Sequence, residues 1–122
     1  MATPFLVLSK NKSLLLKNYI FGETPQFLEA VHECFDVVAL NDEYVELKFQ
    51  NFEATVFYAS EFDRIKGRLE GHILIDLKFK GPIPVSEIQL MFKDFVTKMK
   101  SYLFLITDDE QELILEGTTR RV

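Results

Sequence analysis

Residues 43–59 of this chain, EYVELKFQNFEATVFYA, constrain its fold more than any other stretch, because their letters predict both faces of a β-hairpin. A turn at Gln50-Asn51 pairs residues that are equally distant from it. One face is then apolar and consists of the pairs Phe49–Phe52, Leu47–Ala54 and Val45–Val56. The other face consists of the pairs Lys48–Glu53, Glu46–Thr55 and Tyr44–Phe57. Opposite charges and paired aromatic rings directly across two strands stabilise one register over its alternatives, so we predict a hairpin in this register.

Two amphipathic helices are predicted, one on each side of this region. Thr24 is a good N-cap and Pro25 suits the first helical position, so the first helix begins there and ends before Asn41. Ser86 and Gln89 form a capping box for the second helix. Helical spacing defines the buried stripe of each helix. The first stripe contains Phe27, Leu28, Val31, Cys34, Phe35 and Val38, and the second contains Ile88, Met91, Phe92, Phe95, Val96, Met99 and either Tyr102 or Leu103.

The other strands follow from alternation and from turn residues. Residues 72–80, HILIDLKFK, predict a third strand beside the hairpin, after a loop at 60–71. A last hairpin is expected at 103–107 and 112–116, followed by a loose tail. Two N-terminal strands at 5–8 and 14–20 are less regular, and a short helix at 13–20 is the alternative.

Antiparallel hairpins with two helices are typical of an α+β fold. We therefore expect residues 1–122 to form a single α+β domain, with an antiparallel sheet of five to seven strands and both helices on one face. The predicted order α-βββ-α-ββ is similar to that of bacterial type III secretion chaperones. That resemblance implies an acidic homodimer that binds a segment of a client protein.

Charge and composition narrow the class of partner. The net charge of −5 argues against general nucleic-acid binding, which needs clustered Lys and Arg, and against anionic membrane surfaces. A basic protein partner is compatible with it. The longest apolar run, Tyr102 to Ile106, is too short to span a bilayer, and the lysines at 10, 12 and 17 interrupt any signal peptide. We expect a cytoplasmic protein.

Catalytic and metal-binding signatures are absent from the sequence, so we predict no catalytic residue, metal or cofactor. His32 and Cys34 are two residues apart on a predicted helix and point in different directions. Cys34 is expected to be a buried, inert thiol. Asp76 is the best single candidate for acid–base chemistry, although an outward-facing strand residue is the simpler interpretation.

Two surface features favour protein recognition instead. Tyr44, Phe57 and Leu74 fall on the side of the three strands that faces away from the core, where they would form an apolar patch. The charged rim of this patch would consist of Glu46, Lys48, Glu53 and Asp76. An apolar centre with a charged rim is the anatomy of a protein interface. A second candidate is the acidic cluster at the last turn, which contains Asp108, Asp109, Glu110 and Glu112.

Three functional hypotheses follow from these features. The leading one is an immunity-type inhibitor, a small acidic protein that neutralises a toxin by covering its active site. The second is a chaperone-like homodimer that holds a segment of a client, such as an effector. The third is a small-ligand-binding protein or enzyme with a pocket between sheet and helices.

Overall fold

The computed structural model describes residues 7–8, 12–58, 68–107 and 110–117, and for 18–26 and 68–72 it describes the backbone only. Nine strands and two helices occur in these ranges. In chain order they are β1 (Val7–Leu8), β2 (Lys12–Glu23), α1 (Thr24–Cys34), β3 (Val37–Leu40), β4 (Tyr44–Lys48), β5 (Phe52–Phe57), β6 (Arg68–Phe79), β7 (Ile83–Pro84), α2 (Val85–Lys98), β8 (Tyr102–Ile106) and β9 (Gln111–Glu116).

Seven of the strands form one antiparallel sheet in the order β3-β4-β5-β6-β2-β8-β9. The remaining two, β1 and β7, form a separate short ladder in which Val7 lies opposite Pro84 and Leu8 opposite Ile83. The predicted α+β class and the antiparallel sheet are confirmed. The order of elements differs from α-βββ-α-ββ, because β3 and β7 also lie between the two helices.

The hairpin of β4 and β5 has the predicted register throughout. Tyr44 lies opposite Phe57 and Lys48 opposite Glu53, with the three intervening pairs also as predicted. The Phe49 N–H donates to the Phe52 carbonyl oxygen at 2.9 Å, which closes the turn. Strand β6 then pairs with β5, and its alternate residues Ile73, Ile75 and Leu77 are buried as predicted. The loop predicted at 60–71 is wrong for residues 68–71, which belong to β6; residues 59–67 lie outside the described ranges.

The N-terminal strand β2 is an interior strand of the sheet, which pairs with β6 on one side and β8 on the other. The strand predicted at 14–20 is thus confirmed, and the alternative helix at 13–20 is wrong. Leu14 and Leu16 are fully buried in β2. Pairing on both sides favours the extended conformation of the run Leu14-Leu15-Leu16, whose letters alone suit a helix equally well.

Helix α1 ends at Cys34, six residues before Leu40, so the predicted helical position of Val38 is wrong. Val38 instead lies in the edge strand β3, with 58% of its surface exposed. The turn after β3 explains the change: the Asn41 side-chain oxygen accepts hydrogen bonds from the N–H groups of Glu43 and Tyr44 at 2.8 and 2.9 Å. Asn favours such turns because its side chain replaces a backbone acceptor, and this turn lets residues 37–40 pair with β4.

Helix α2 differs from its prediction at the N-terminus. The residue before its first turn is Pro84, and no side chain caps it, so the predicted Ser86–Gln89 capping box is wrong. The Gln89 amide instead donates to the Ile114 carbonyl oxygen at 2.9 Å, which joins α2 to β9. Met91, predicted to be buried, is exposed.

Both helices pack on one face of the sheet, which we call the inner face. Aromatic rings from helices and sheet meet there: Phe27 and Phe95 at 5.6 Å between ring centroids, and Phe35 and Phe92 at 5.4 Å. The stacked pair Phe49 and Phe52 joins this cluster through Phe92. Much of the chain's unusual content of twelve Phe is therefore core.

The C-terminal end of β9 closes this core. The Gly117 N–H donates to the Ser101 carbonyl oxygen at 2.7 Å, just after the end of α2. A Cβ atom on Gly117 would lie 2.0 Å from the carbonyl oxygen of Val96, so only glycine fits here. The expectation of a loose tail is wrong at Gly117; residues 118–122 lie outside the described ranges.

Candidate partner-binding face

The register of the sheet aligns six apolar residues on the outer face, the side opposite the helices. Each lies directly across from the next on the neighbouring strand. In order from β4 to β9 they are Tyr44, Phe57, Leu74, Leu15, Phe104 and Leu113, and we call them the outer row. With neighbouring strands about 4.8 Å apart, the outer row is about 24 Å long.

The outer row is only partly buried, and its members shield one another. Leu74 is 39% exposed, and the other five side chains are half-buried. The rings of Tyr44 and Phe57 meet edge to face, with 5.8 Å between their centroids. The Lys17 ammonium lies 4.8 Å from the centroid of the Phe104 ring, in the geometry of a cation–π contact. In the described part of the chain, both helices pack on the inner face and leave this row uncovered.

Half of the outer row was missed from the sequence. Tyr44, Phe57 and Leu74 were predicted, and the structure brings them together as neighbours on β4, β5 and β6. The other three are Leu15, Phe104 and Leu113. A signal existed in the alternation of Leu15 with the core residues Leu14 and Leu16. That signal locates Leu15 on the outer face only once 14–16 is known to be a strand.

Glu46 and Asp76, two of the acidic residues predicted for the site, lie along one side of the outer row. Glu46, Thr55 and Asp76 are neighbours across β4, β5 and β6, two residues along each strand from Tyr44, Phe57 and Leu74 and therefore on the same face. The Ser13 hydroxyl donates to an Asp76 carboxylate oxygen at 2.8 Å. Because Asp76 is exposed and lies on the sheet surface, it lacks the apolar pocket in which a catalytic carboxyl is typically held. The interpretation of Asp76 as an outward-facing strand residue therefore fits its position.

The structure describes the two ends of the turn between β8 and β9, Thr107 and Glu110. The backbone N–H and the hydroxyl of Thr107 both donate to the Glu110 carbonyl oxygen, at 2.9 and 3.1 Å. Glu110 is exposed. It lies one residue before Gln111, which pairs with Ile106 in the sheet row that also contains Asp76. Asp108 and Asp109 lie outside the described residues. Glu110 thus lies just before β9, three strands from the strand of Asp76, and it is not part of the outer row.

Some of the surface depressions in the described ranges are lined by residues singled out in the sequence. The one nearest the outer row has a volume of about 310 Å³ and is lined by Val38, Glu46, Leu47, Glu53, Ala54, Thr55 and Lys78. A second, of about 560 Å³, lies between the β4–β5 turn and α2, where Asn51 donates to the Glu87 carboxylate at 2.8 Å. The third, about 300 Å³, contains His32, Cys34 and Met91 among its lining residues.

Burial raises the pKa of the Cys34 thiol, so the thiol is protonated at neutral pH and is a poor nucleophile.

Neither a metal centre nor a membrane span is found within the ranges that the structure covers. No three His, Cys, Asp or Glu side chains described there are grouped in a way that could hold a metal ion. Each described helix is too short or too polar to cross a bilayer. Comparison of the chain with protein-family models, with curated proteins and with solved structures gives no match.

Proposed function

We propose that this protein is a small acidic binding module of the immunity type, which neutralises a toxin by holding it against the outer row. The observation that carries the proposal is the alignment of six apolar side chains across the face opposite both helices. Apolar residues in a line about 24 Å long match the central part of a standard protein interface, and polar neighbours match its rim.

The chemistry of the flank favours a basic partner. Glu46 and Asp76 lie beside Tyr44, Phe57 and Leu74 in the adjacent sheet row, which has no cation on β4, β5 or β6. The net charge of −5 adds a longer-range attraction for a positively charged surface. Such complementarity chiefly raises the association rate. A toxin with a cationic cleft that acts on nucleic acid has the matching charge.

The direct test is to mix the purified protein with a toxin encoded beside its gene. We expect a stable complex and loss of the toxin's activity. Leu74→Ala should weaken this complex by about 1–3 kcal/mol, the usual scale for a residue at the centre of an interface. The matched control is Leu90→Ala on α2, because Leu90 is also an exposed leucine, at 67%, but lies outside the outer row. Equal effects of the two substitutions, or a complex that forms without inhibition, would contradict the proposal.

The same purified protein, without the toxin, distinguishes the chaperone-like homodimer from the inhibitor. Light scattering over a range of concentrations reports the mass of the free protein. A stable dimer that Phe57→Ala dissociates would mean that the outer row binds a second copy. The inhibitor proposal would then be wrong, since the surface would already be occupied.

A further inference from the structure

The edge strand β3 is a second surface, distinct from the outer row. It is the terminal strand of the seven-stranded sheet, and no other strand in the described ranges pairs with its open side. Its four residues, Val37 to Leu40, are all uncharged. Val38 and Leu40 are 58% and 47% exposed. Natural proteins commonly protect a terminal strand with charged side chains or proline, and β3 has neither.

The backbone of β3 presents hydrogen-bonding groups on this open side. The Asn41 N–H donates to the Tyr44 carbonyl oxygen at 3.0 Å, and Ala39 lies opposite Glu46 two residues earlier. Bonded pairs alternate along an antiparallel ladder, so the residues at 39 and 41 bond inward to β4. The N–H and C=O of Leu40 therefore point away from β4. An additional strand can accept and donate hydrogen bonds there.

The flanks of β3 indicate the charge of the segment that fits. Asp36 precedes the strand, and Asp42 and Glu43 follow it, all of them exposed. If a second copy paired antiparallel with β3, Asp36 of each chain would lie close to Asp42 and Glu43 of the other. Like charges across strands are destabilising. A segment with Lys or Arg at its two ends would instead find a carboxylate at each end of β3.

We propose that β3 binds an extended segment of a partner protein as an additional antiparallel strand, with an uncharged β-branched centre and basic residues at both ends. Backbone hydrogen bonds to Leu40 give the affinity, as in other strand-addition complexes. The carboxylates of Asp36 and Asp42 select the charge of the ends. This inference goes beyond the proposed function and does not depend on the outer row, because it uses a different surface and backbone groups.

The probe is a synthetic peptide of alternating Val and Thr flanked by paired lysines, titrated into the full chain and followed by NMR and fluorescence anisotropy. We expect shifts confined to β3 and its flanks, with slower hydrogen exchange of the Leu40 amide. Leu40→Pro removes the outward N–H without breaking an inward ladder bond and should weaken binding about fivefold to tenfold. The matched control, Leu40→Thr, keeps the N–H and should change binding by less than about threefold.

Two further peptides keep the inference falsifiable if Leu40→Pro fails to fold. Methylation of alternate backbone amides in the lysine-flanked peptide should abolish binding, and replacement of its lysines by glutamates should weaken binding about tenfold or more. Binding that survives Leu40→Pro, the methylated backbone or the glutamate ends would overturn the inference, as would no binding of the first peptide. A concentration-dependent dimer dissociated by Leu40→Pro would also overturn it, because a second copy would then occupy β3. We expect Leu74→Ala to weaken toxin binding and to leave peptide binding unchanged. That result would show that the peptide site on β3 is separate from the outer row.

Discussion

The two faces of the seven-stranded sheet are made from the same strands but differ in how far the helices cover them. On the inner face, Leu14, Ile75 and Leu105 lie across from one another and are all almost completely buried under the helices. On the outer face, one residue along each strand, Leu15, Leu74 and Phe104 form an equally apolar line that is only partly covered. Polarity alone therefore does not distinguish core from surface in this sheet. The placement of the helices does, and an apolar line left outside is a candidate for binding.

The largest effect that separates the faces is expected at Phe92 in α2. This ring is almost fully buried and contacts the rings of Phe35, Phe49 and Phe52. Phe92→Ala should lower the free energy of unfolding by about 3–5 kcal/mol, because it leaves a cavity among rings that cannot close over it. Urea denaturation measures the change. A loss below about 1 kcal/mol would mean that the inner face is not the tightly packed side.

A second large effect is expected where β9 meets the end of α2. Gly117→Ala places a methyl group 2.0 Å from the Val96 carbonyl oxygen, so the backbone must move. Overpacking of this kind costs about 1–3 kcal/mol, and a clash with backbone belongs at the upper end. Thermal unfolding followed by circular dichroism tests the prediction. The control is Gly81→Ala, since a Cβ atom at Gly81 meets nothing within 4 Å; equal losses at the two positions would contradict the packing of Gly117.

A smaller effect is expected on the outer face. Phe57→Ala removes a half-buried ring whose main aromatic partner is Tyr44, and cross-strand pairs contribute about 0.2–1 kcal/mol. We therefore expect a stability loss of about 1 kcal/mol, together with the weaker partner binding proposed for this row. Chemical denaturation of the free protein measures the stability loss separately from the loss of partner binding. Unfolding as severe as that of Phe92→Ala would make the outer row part of a second core.

The smallest effect is expected at the surface ion pair between the helices. The Lys98 ammonium lies 2.9 Å from a Glu33 carboxylate oxygen, and both side chains are about half exposed, at 50% and 53%. The hydrogen bond that the Lys98 ammonium donates to the Glu33 carboxylate raises the pKa of Lys98 above its ordinary value of 10.5. The folded state thus holds this proton more tightly, so the contribution is complete below 10.5 and is lost as the pH rises through the folded-state value.

The test of this pair is the stability difference between the native chain and Lys98→Met at several pH values. We expect a small difference that is constant around neutral pH, decreases in high salt because exposed pairs are screened, and disappears once the pH exceeds the raised pKa of Lys98. A difference that grows with alkaline pH would have the wrong sign for this mechanism.

Local pairing explains which parts of the fold could be predicted. The hairpin of β4 and β5 was predicted residue by residue because its strands are adjacent in the chain and each cross-strand pair is visible in the letters. Val38 was misassigned because its apolar segment continues the helical spacing of α1, while the turn at Asn41 and the pairing with β4 favour a strand. Gln89 was assigned to a helix cap because its partner, the Ile114 carbonyl, is distant in sequence.

The amino-acid sequence by itself determined the α+β class, the register of the β4–β5 hairpin and the outward positions of Tyr44, Phe57 and Leu74. These follow from short-range periodicity, which needs only the neighbouring strand. Only the tertiary structure decided that β2 enters the middle of the sheet between β6 and β8. That insertion extends a three-residue patch into the six-residue outer row. Pairings between strands so far apart in the chain depend on how every helix and strand packs together, and no local pattern of letters encodes them.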